Sequence, residues 1–597
     1  MPVPCATPRI PPVAAVAVAL VAAQLAVRTV LAFGGFFYWD DLVLVGRAGT
    51  QPLLSGAYLL NDHDGHLMPA AFLLGGVITR LAPLDWTWPA VSLVLMQLIA
   101  SLALLRTLHI ILGWRRVLLV VLVFALFTPL TVPSFAWWAA ALNYLPMLAA
   151  LAWVCGDAIL LVRTGNHRYA LTAMLAYLAG LVFFEKAAVI PFVAFAVAAL
   201  LRHVGGDGAP LRSVWRSGLT LWIPAAVLTA AWAALYLVVV DQQRWSLDIP
   251  MTWALLSRSV THGIVPGLIG GPWHWQRWDP ASPWAVPGLP AMALGWAALV
   301  VVVAVTLIRK RRIGWVWMAA LGYVVACQVP IYLMRSSAFT ALELAQTLRY
   351  LADLVWVLAL LAAVGLCAAN RTASRWLDAS VGRSAVVGAL VLGFLASSLV
   401  STRTFLTSWQ DNPTKAYLHN AIRGLAQARA ESPAPMLDQE VDPLILQRVV
   451  GPENLASHMF ALLTDRPDFE RYTTVLRMLD NRGAVVDANV TWVRRTLPGP
   501  QQRCGYLVAP DFPTRMPLDG PLLPAEWTAE VNYLANTEGS VVMSLPDGRE
   551  TRVPVKPGLN RTYVRLSGAG DAIIVRAATT ALTVCVASGP VGFLAPR

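Results

Sequence analysis

Two adjacent carboxylates, Asp40 and Asp41, close the first apolar run of this chain, directly behind the aromatic string Phe36-Phe37-Tyr38-Trp39. A carboxylate so placed can take the proton of an attacking hydroxyl, while its neighbour holds that hydroxyl or a divalent cation by its oxygens. The plain alternative is a solvated helix end with aromatic side chains at a membrane–water boundary. The same segment then supplies Asn61-Asp62-His63-Asp64-Gly65-His66. His and Asp at that density suit a metal or a phosphate. Gly65 argues against a regular helix that would put His63 and His66 on one face, and zinc lacks a third clear ligand. If a divalent cation (Mg, Mn or Ca) binds, Asp41 and His63 are its expected ligands.

Further polar groups interrupt apolar sequence. Glu185 and Lys186 separate two apolar runs, and an ionisable pair at the end of a membrane span is a functional candidate; the plain alternative is an ion pair between the two. Asn143 and Tyr144 follow Trp137-Trp138 in what reads as a charge-free loop. The string from Pro272 to Pro280 contains Trp273 and Trp275, whose indole faces suit sugar rings, although Trp also favours the headgroup region. Arg335 and Arg349-Tyr350 bracket another loop, and a guanidinium is well matched to a phosphate. Lys186, Arg349 and His66 are the candidates for holding a phosphate. Glu185, Tyr350, Asn143, Trp273 and Trp275 are the candidates for other substrate contacts.

The elements that must position these groups follow from composition. Of 597 residues 57% are hydrophobic and only 13% charged, with mean hydropathy +0.61, whereas soluble domains carry about 25% charged residues. A membrane helix needs roughly 20 apolar residues, and runs of that kind fall at 13–36, 88–107, 116–133, 143–162, 169–183, 187–202, 218–240, 289–308, 314–334, 350–369 and 384–404. A further apolar stretch, 67–82, is short and contains Gly75-Gly76 and Arg80. With the N-terminus cytoplasmic and 67–82 not crossing, the segments Arg106–Arg116, Arg163–Arg168, Arg202–Arg216, Arg309–Arg312 and Arg371–Arg383 all fall on the cytoplasmic side, their only acids being Asp207 and Asp378. That is the positive-inside pattern, and it makes 67–82 a juxtamembrane or re-entrant helix on the outer side. The same distribution explains the net charge of +12 without nucleic acid, since the basic residues form no single patch. The first run is long and lacks a cleavage site, so it reads as an uncleaved span.

Apolar density falls after about residue 404. Residues 405–483 read as a mixed α/β connector, with helical patches at 414–428 and 454–463. Short β runs at 484–486, 490–493, 528–533, 540–545, 550–555, 563–566, 572–577 and 582–587 suggest an exported β-sandwich over 484–597, a module suited to carbohydrate or to scaffolding. Cys5 is cytoplasmic and Cys155, Cys327 and Cys367 lie in spans on this topology. Cys504 and Cys585 are then the one pair available for an extracytoplasmic disulfide.

Asp40-Asp41 after the first span, the 67–82 segment and Arg349-Tyr350 together resemble the GT-C superfamily of membrane glycosyltransferases, which place an acidic residue or pair in the first outer loop, then juxtamembrane helices, and often an Arg-Tyr pair at the outer end of a later span. The exported β domain is similar to that of actinobacterial cell-wall arabinosyl- and mannosyltransferases. The resemblance implies a polytopic α-helical fold of about eleven spans in the bacterial plasma membrane. It implies inverting transfer from a polyprenyl-phosphate sugar donor to an envelope glycan or glycolipid acceptor, with Asp40 as base, Asp41 holding acceptor or metal, and Lys186, Arg349 and His66 on the donor phosphate. A lipid-linked sugar transporter or flippase would share the substrate, but no internal repeat is visible; a glycan ligase or polymerase would also share it.

Overall fold

A computed structural model describes residues 11–241, 248–337, 340–371, 380–510 and 512–597. Cys5, loop residues 242–247, and most of the basic segment Arg371–Arg383 with its Asp378 lie outside the described residues. The chain divides into two compact units, residues 1–44 with 51–412 and residues 45–50 with 413–597.

A helix covers each of the eleven apolar runs. In chain order the main helices are α1 (Pro12–Gly34), α2 (Asp40–Thr50), α3 (Pro69–Leu81), α4 (Thr87–Leu112), α5 (Arg116–Phe127), α6 (Trp138–Thr164), α7 (Arg168–Phe183), α8 (Ile190–Val204), α9 (Leu219–Val239), α10 (Leu289–Arg309), α11 (Gly314–Arg335), α12 (Ala352–Cys367) and α13 (Ser380–Gln410). Among the described residues eight helices are long and apolar enough to cross a membrane, or nine if α5 and its bent continuation through Ala136 count as one. Helices α7 and α12 have 16 residues each and α3 has 13. At about 1.5 Å per residue, 16 residues make roughly 24 Å, less than a hydrocarbon core of about 30 Å. Proline in the first turn opens α1, α3, α8 and α10, where its missing N–H costs nothing. Gly165 in the left-handed region closes α6.

The bundle is apolar outside as well as inside. Leu171 and Leu175 of α7, Val300, Val301 and Ile308 of α10, and Leu390 and Leu392 of α13 are all exposed. Helices satisfy their own backbone polar groups, so such a surface is stable in lipid and not in water. This unit is a multi-pass membrane domain.

Two expectations change here. Asn143 and Tyr144 lie inside α6 rather than in a loop, because the polar residues are too few to break a helix whose apolar sequence resumes at once. The aromatic string is not a solvated belt: Phe36, Phe37 and Tyr38 are 8%, 2% and 6% exposed.

In the second unit the helix α14 (Thr414–Glu431) precedes a mostly antiparallel sheet. Its main strands are β1 (Val485–Arg495), β2 (Tyr506–Val508), β3 (Thr514–Ala535), β4 (Gly539–Ser544), β5 (Thr551–Val555), β6 (Gly558–Ala577), β7 (Val584–Val586) and β8 (Pro590–Pro596). The hydrogen-bonded order β5-β4-β6-β3-β8-β1 is one continuous path, with β2 and β7 attached to it through β3. The expected two short strands at 563–566 and 572–577 are one strand of 20 residues, β6. Gly568 and Gly570 have φ of +114° and +141°. The register against β3 shifts there, so the glycines bend the strand without ending it. Both halves of β3 and β6 feed one core, with Met516, Trp527, Val531, Val564, Leu566 and Val575 all buried. The long sheet therefore folds over itself around this core. Cys504 and Cys585, 81 positions apart, are joined by a disulfide.

Candidate functional site

The polar residues of the first unit gather where several helices begin. Asp40 and Asp41 open α2, Ala139 lies in the first turn of α6, Glu185 and Lys186 open the 3-10 turn before α8, and Asp353 lies in the first turn of α12. Helix starts carry unpaired N–H groups and a partial positive charge, which favours carboxylates.

The acidic pair splits. Asp41 is fully buried; its Oδ1 accepts from Ala139 N at 2.7 Å and its Oδ2 from Tyr38 N at 2.9 Å. Burial pushes its carboxyl well above the usual carboxylate range, against the pull of those two donors. Asp41 thus ties the aromatic string to the start of α6. Asp40 is 31% exposed, with His63 Nε2 at 3.9 Å. It follows Trp39, whose φ of +44° is unusual for a bulky residue. That backbone turn lets two consecutive carboxylates face different surroundings.

The Asn61–His66 segment is a tight turn. Asp62 Oδ1 accepts from Gly65 N at 2.7 Å, and His63 and His66 exchange backbone hydrogen bonds. His66 Nδ1 lies 2.8 Å from Glu185 Oε1. Burial opposes an imidazolium there, but Glu185 outweighs it and the His66 pKa is raised. Asp64 meets Arg335 at 2.9 Å. Glu185 and Lys186 do not pair with each other: Lys186 Nζ donates to Asp353 Oδ1 at 2.8 Å, and Tyr323 OH donates to Asp353 Oδ2 at 2.7 Å. Asp353 is fully buried. It was missed in reading the sequence because the 350–369 run was counted only for its apolar residues; a carboxylate inside such a run is itself the signal.

Arg349 is different. Its guanidinium donates to Tyr350 OH at 2.7 Å and packs 4.8 Å from the Trp137 ring, while its Nε is buried without a partner. Among the described residues it has no carboxylate partner. Trp137 in turn stands edge-on to Tyr38 at 4.9 Å, so Arg349 and the acidic pair border the same aromatic wall. Arg349 follows Leu348, another residue in the left-handed region (φ +58°). Such strain persists only where surrounding contacts impose it.

The tryptophans serve packing. Trp273 Nε1 donates to Ser397 Oγ at 2.7 Å and Trp275 Nε1 to the Ser401 carbonyl at 3.1 Å, both on α13; Trp275 is buried against Phe405. Asn143 is buried with Oδ1 unpartnered, and Tyr144 faces the Lys186 ammonium at 5.5 Å. Among the described residues no three His, Cys, Asp or Glu side chains converge, and both oxygens of Asp41 are taken by N–H groups.

No family model matches the sequence, and no curated protein matches it. Among solved structures the chain is similar to ArnT from Cupriavidus metallidurans bound to undecaprenyl phosphate, at 12% identity, TM-score 0.42, over 76% of this chain and 90% of that one. The apo state of the same protein gives 13% identity and TM-score 0.42, over 76% and 85%. At that level of likeness the chemistry is left to the side chains.

Proposed function

We propose that the chain is a GT-C-type glycosyltransferase that moves a sugar from a polyprenyl-phosphate donor to a hydroxyl of a cell-envelope glycan or glycolipid. The observation that carries this reading is the pairing of one partly exposed carboxylate, Asp40, with one guanidinium, Arg349, that no carboxylate among the described residues neutralises, beside a single aromatic wall in a lipid-solvated unit.

In this reading the acceptor oxygen attacks the anomeric carbon and gives its proton to Asp40, while the bond from that carbon to the phosphate oxygen breaks. Attack opposite the leaving group inverts the anomeric centre. The departing lipid phosphate gains a negative charge, which Arg349 stabilises where it develops. Asp41 holds the loop in place and touches no substrate. Lys186, whose ammonium Asp353 already holds, positions the start of α8 rather than binding phosphate. His66 with Glu185 borders the site beside Asp64 and Arg335.

The reading has eleven crossings with α3 on the outer side, the N-terminus in the cytoplasm of a bacterial cell and the β unit outside, in reach of the glycan acceptor. The basic segments between spans support that orientation. A labelled lipid-linked sugar, incubated with the full chain in proteoliposomes and an envelope acceptor, tests the reaction. If Asp40→Asn keeps full transfer, the reading fails; if label crosses the bilayer without being transferred, the protein is a flippase.

A further inference from the structure

The helices that start at the candidate site end at a cavity. It has a volume of about 690 Å³ and is lined by Ile159 and Arg163 near the end of α6, Leu201 and Arg202 of α8, Asp207 beyond it, and Cys367 at the end of α12. Lys186 and Arg202 lie before and within α8, roughly 24 Å apart at 1.5 Å per residue, so this cavity is remote from Asp40 and Arg349.

Cations crowd it. Arg163 Nη1 donates to the Ile110 carbonyl at 2.7 Å and Arg202 Nη2 to the Val162 carbonyl at 3.0 Å. Three more reach its rim: Arg115, with Nη2 3.9 Å from Cys367 Sγ; Lys310, donating to the Ala368 carbonyl at 2.8 Å; and Arg312, donating to the His203 carbonyl at 3.0 Å. The plain account is that these side chains cap helix ends. It is incomplete by charge. A helix C-terminus is worth about half a negative charge, so the ends of α4, α6, α8, α10 and α12 offset only about half of these five full charges. Among the described residues the one carboxylate lining the cavity, Asp207, accepts from Ala209 N at 2.9 Å and meets no cation within ion-pair distance. Each arginine commits one N–H of five to a carbonyl here and keeps donors to spare. The wall below them is apolar.

We propose that this cavity binds the phosphate of an anionic lipid headgroup, with Arg163 and Arg202 on the phosphate and the first carbons of the lipid against Ile159 and Leu201. A basic pocket with apolar walls between membrane helices suits that chemistry, and a planar guanidinium suits phosphate oxygens.

Cys367 reports on occupancy, because Cys155 and Cys327 are buried and Cys504 and Cys585 are joined. In a Cys5→Ser background the full chain is placed in nanodiscs of phosphatidylcholine, with or without phosphatidylglycerol, and labelled with an uncharged maleimide. Phosphatidylglycerol at about ten times its dissociation constant slows labelling of Cys367 about tenfold. The double variant Arg163→Gln/Arg202→Gln loses that protection, and Arg163→Lys/Arg202→Lys keeps a measurable part of it. Equal labelling rates in the two lipids, or equal protection in the Gln variant, overturn the proposal. Protection by inorganic phosphate in phosphatidylcholine, without any by phosphatidylglycerol, overturns the lipid assignment.

Discussion

The two ends of the helix bundle handle charge in opposite ways. Around Asp40, nearly every cation meets a carboxylate: Lys186 with Asp353, Arg335 with Asp64, His66 with Glu185. Around Arg202, apart from Arg106 with Asp157, cations meet backbone carbonyls instead. An ion pair formed within the fold leaves little charge for a ligand, whereas a full charge spent on a carbonyl dipole leaves most of it. Arg349 is the exception at the first end, which is why a developing phosphate charge is assigned to it and not to Lys186.

Four measurements would break or sharpen that contrast. Asp40→Asn should lower the turnover of sugar transfer by about 10²–10⁴-fold while leaving thermal stability unchanged, since among the described residues the Asp40 carboxylate meets only His63, at 3.9 Å; an unchanged rate removes the base. Next, Arg349→Gln should cost about 10²–10³-fold in turnover, and Lys186→Gln should act on stability instead. Equal rate losses in the two variants would show that the contrast between free and paired cations carries no functional meaning. Asp353→Asn leaves a largely buried ammonium without its counter-charge and should destabilise the membrane unit by about 3–5 kcal/mol, read as a fall in Tm in detergent.

The smallest effect concerns pH. His66 holds its proton more tightly folded than unfolded. Its pairing with Glu185 therefore contributes stability in full below the unfolded value of about 6.5, and that contribution is lost as pH rises through the raised folded value. Wild-type Tm should fall across that window, and His66→Gln should flatten the profile. A profile unaltered by the substitution would mean the pair contributes nothing.

The helices were legible because lipid selects for composition over long windows, and a helix lies over all eleven runs. The boundary residues were less so: α13 continues to Gln410, since nothing after residue 404 breaks a helix before Asn412-Pro413. Strand β6 was read as two because glycines serve both turns and bends, and which one they serve depends on whether the partner strand continues alongside. Asp40, Asp41, His66, Glu185, Lys186 and Arg349 all stand out as polar residues at the ends of apolar runs. Asp353 does not, because its significance is the ammonium it meets 167 positions away.

From its sequence alone the chain is an apolar helix bundle followed by a strand-rich tail, with its acids and its bases sorted to alternate connections; these are properties of residue type and period. Tertiary structure decided which of two adjacent carboxylates is buried and which is reachable, and which of three candidate cations is left without a carboxylate. Those outcomes depend on N–H groups and carboxylates brought together from distant helices, and no local pattern records which partners meet.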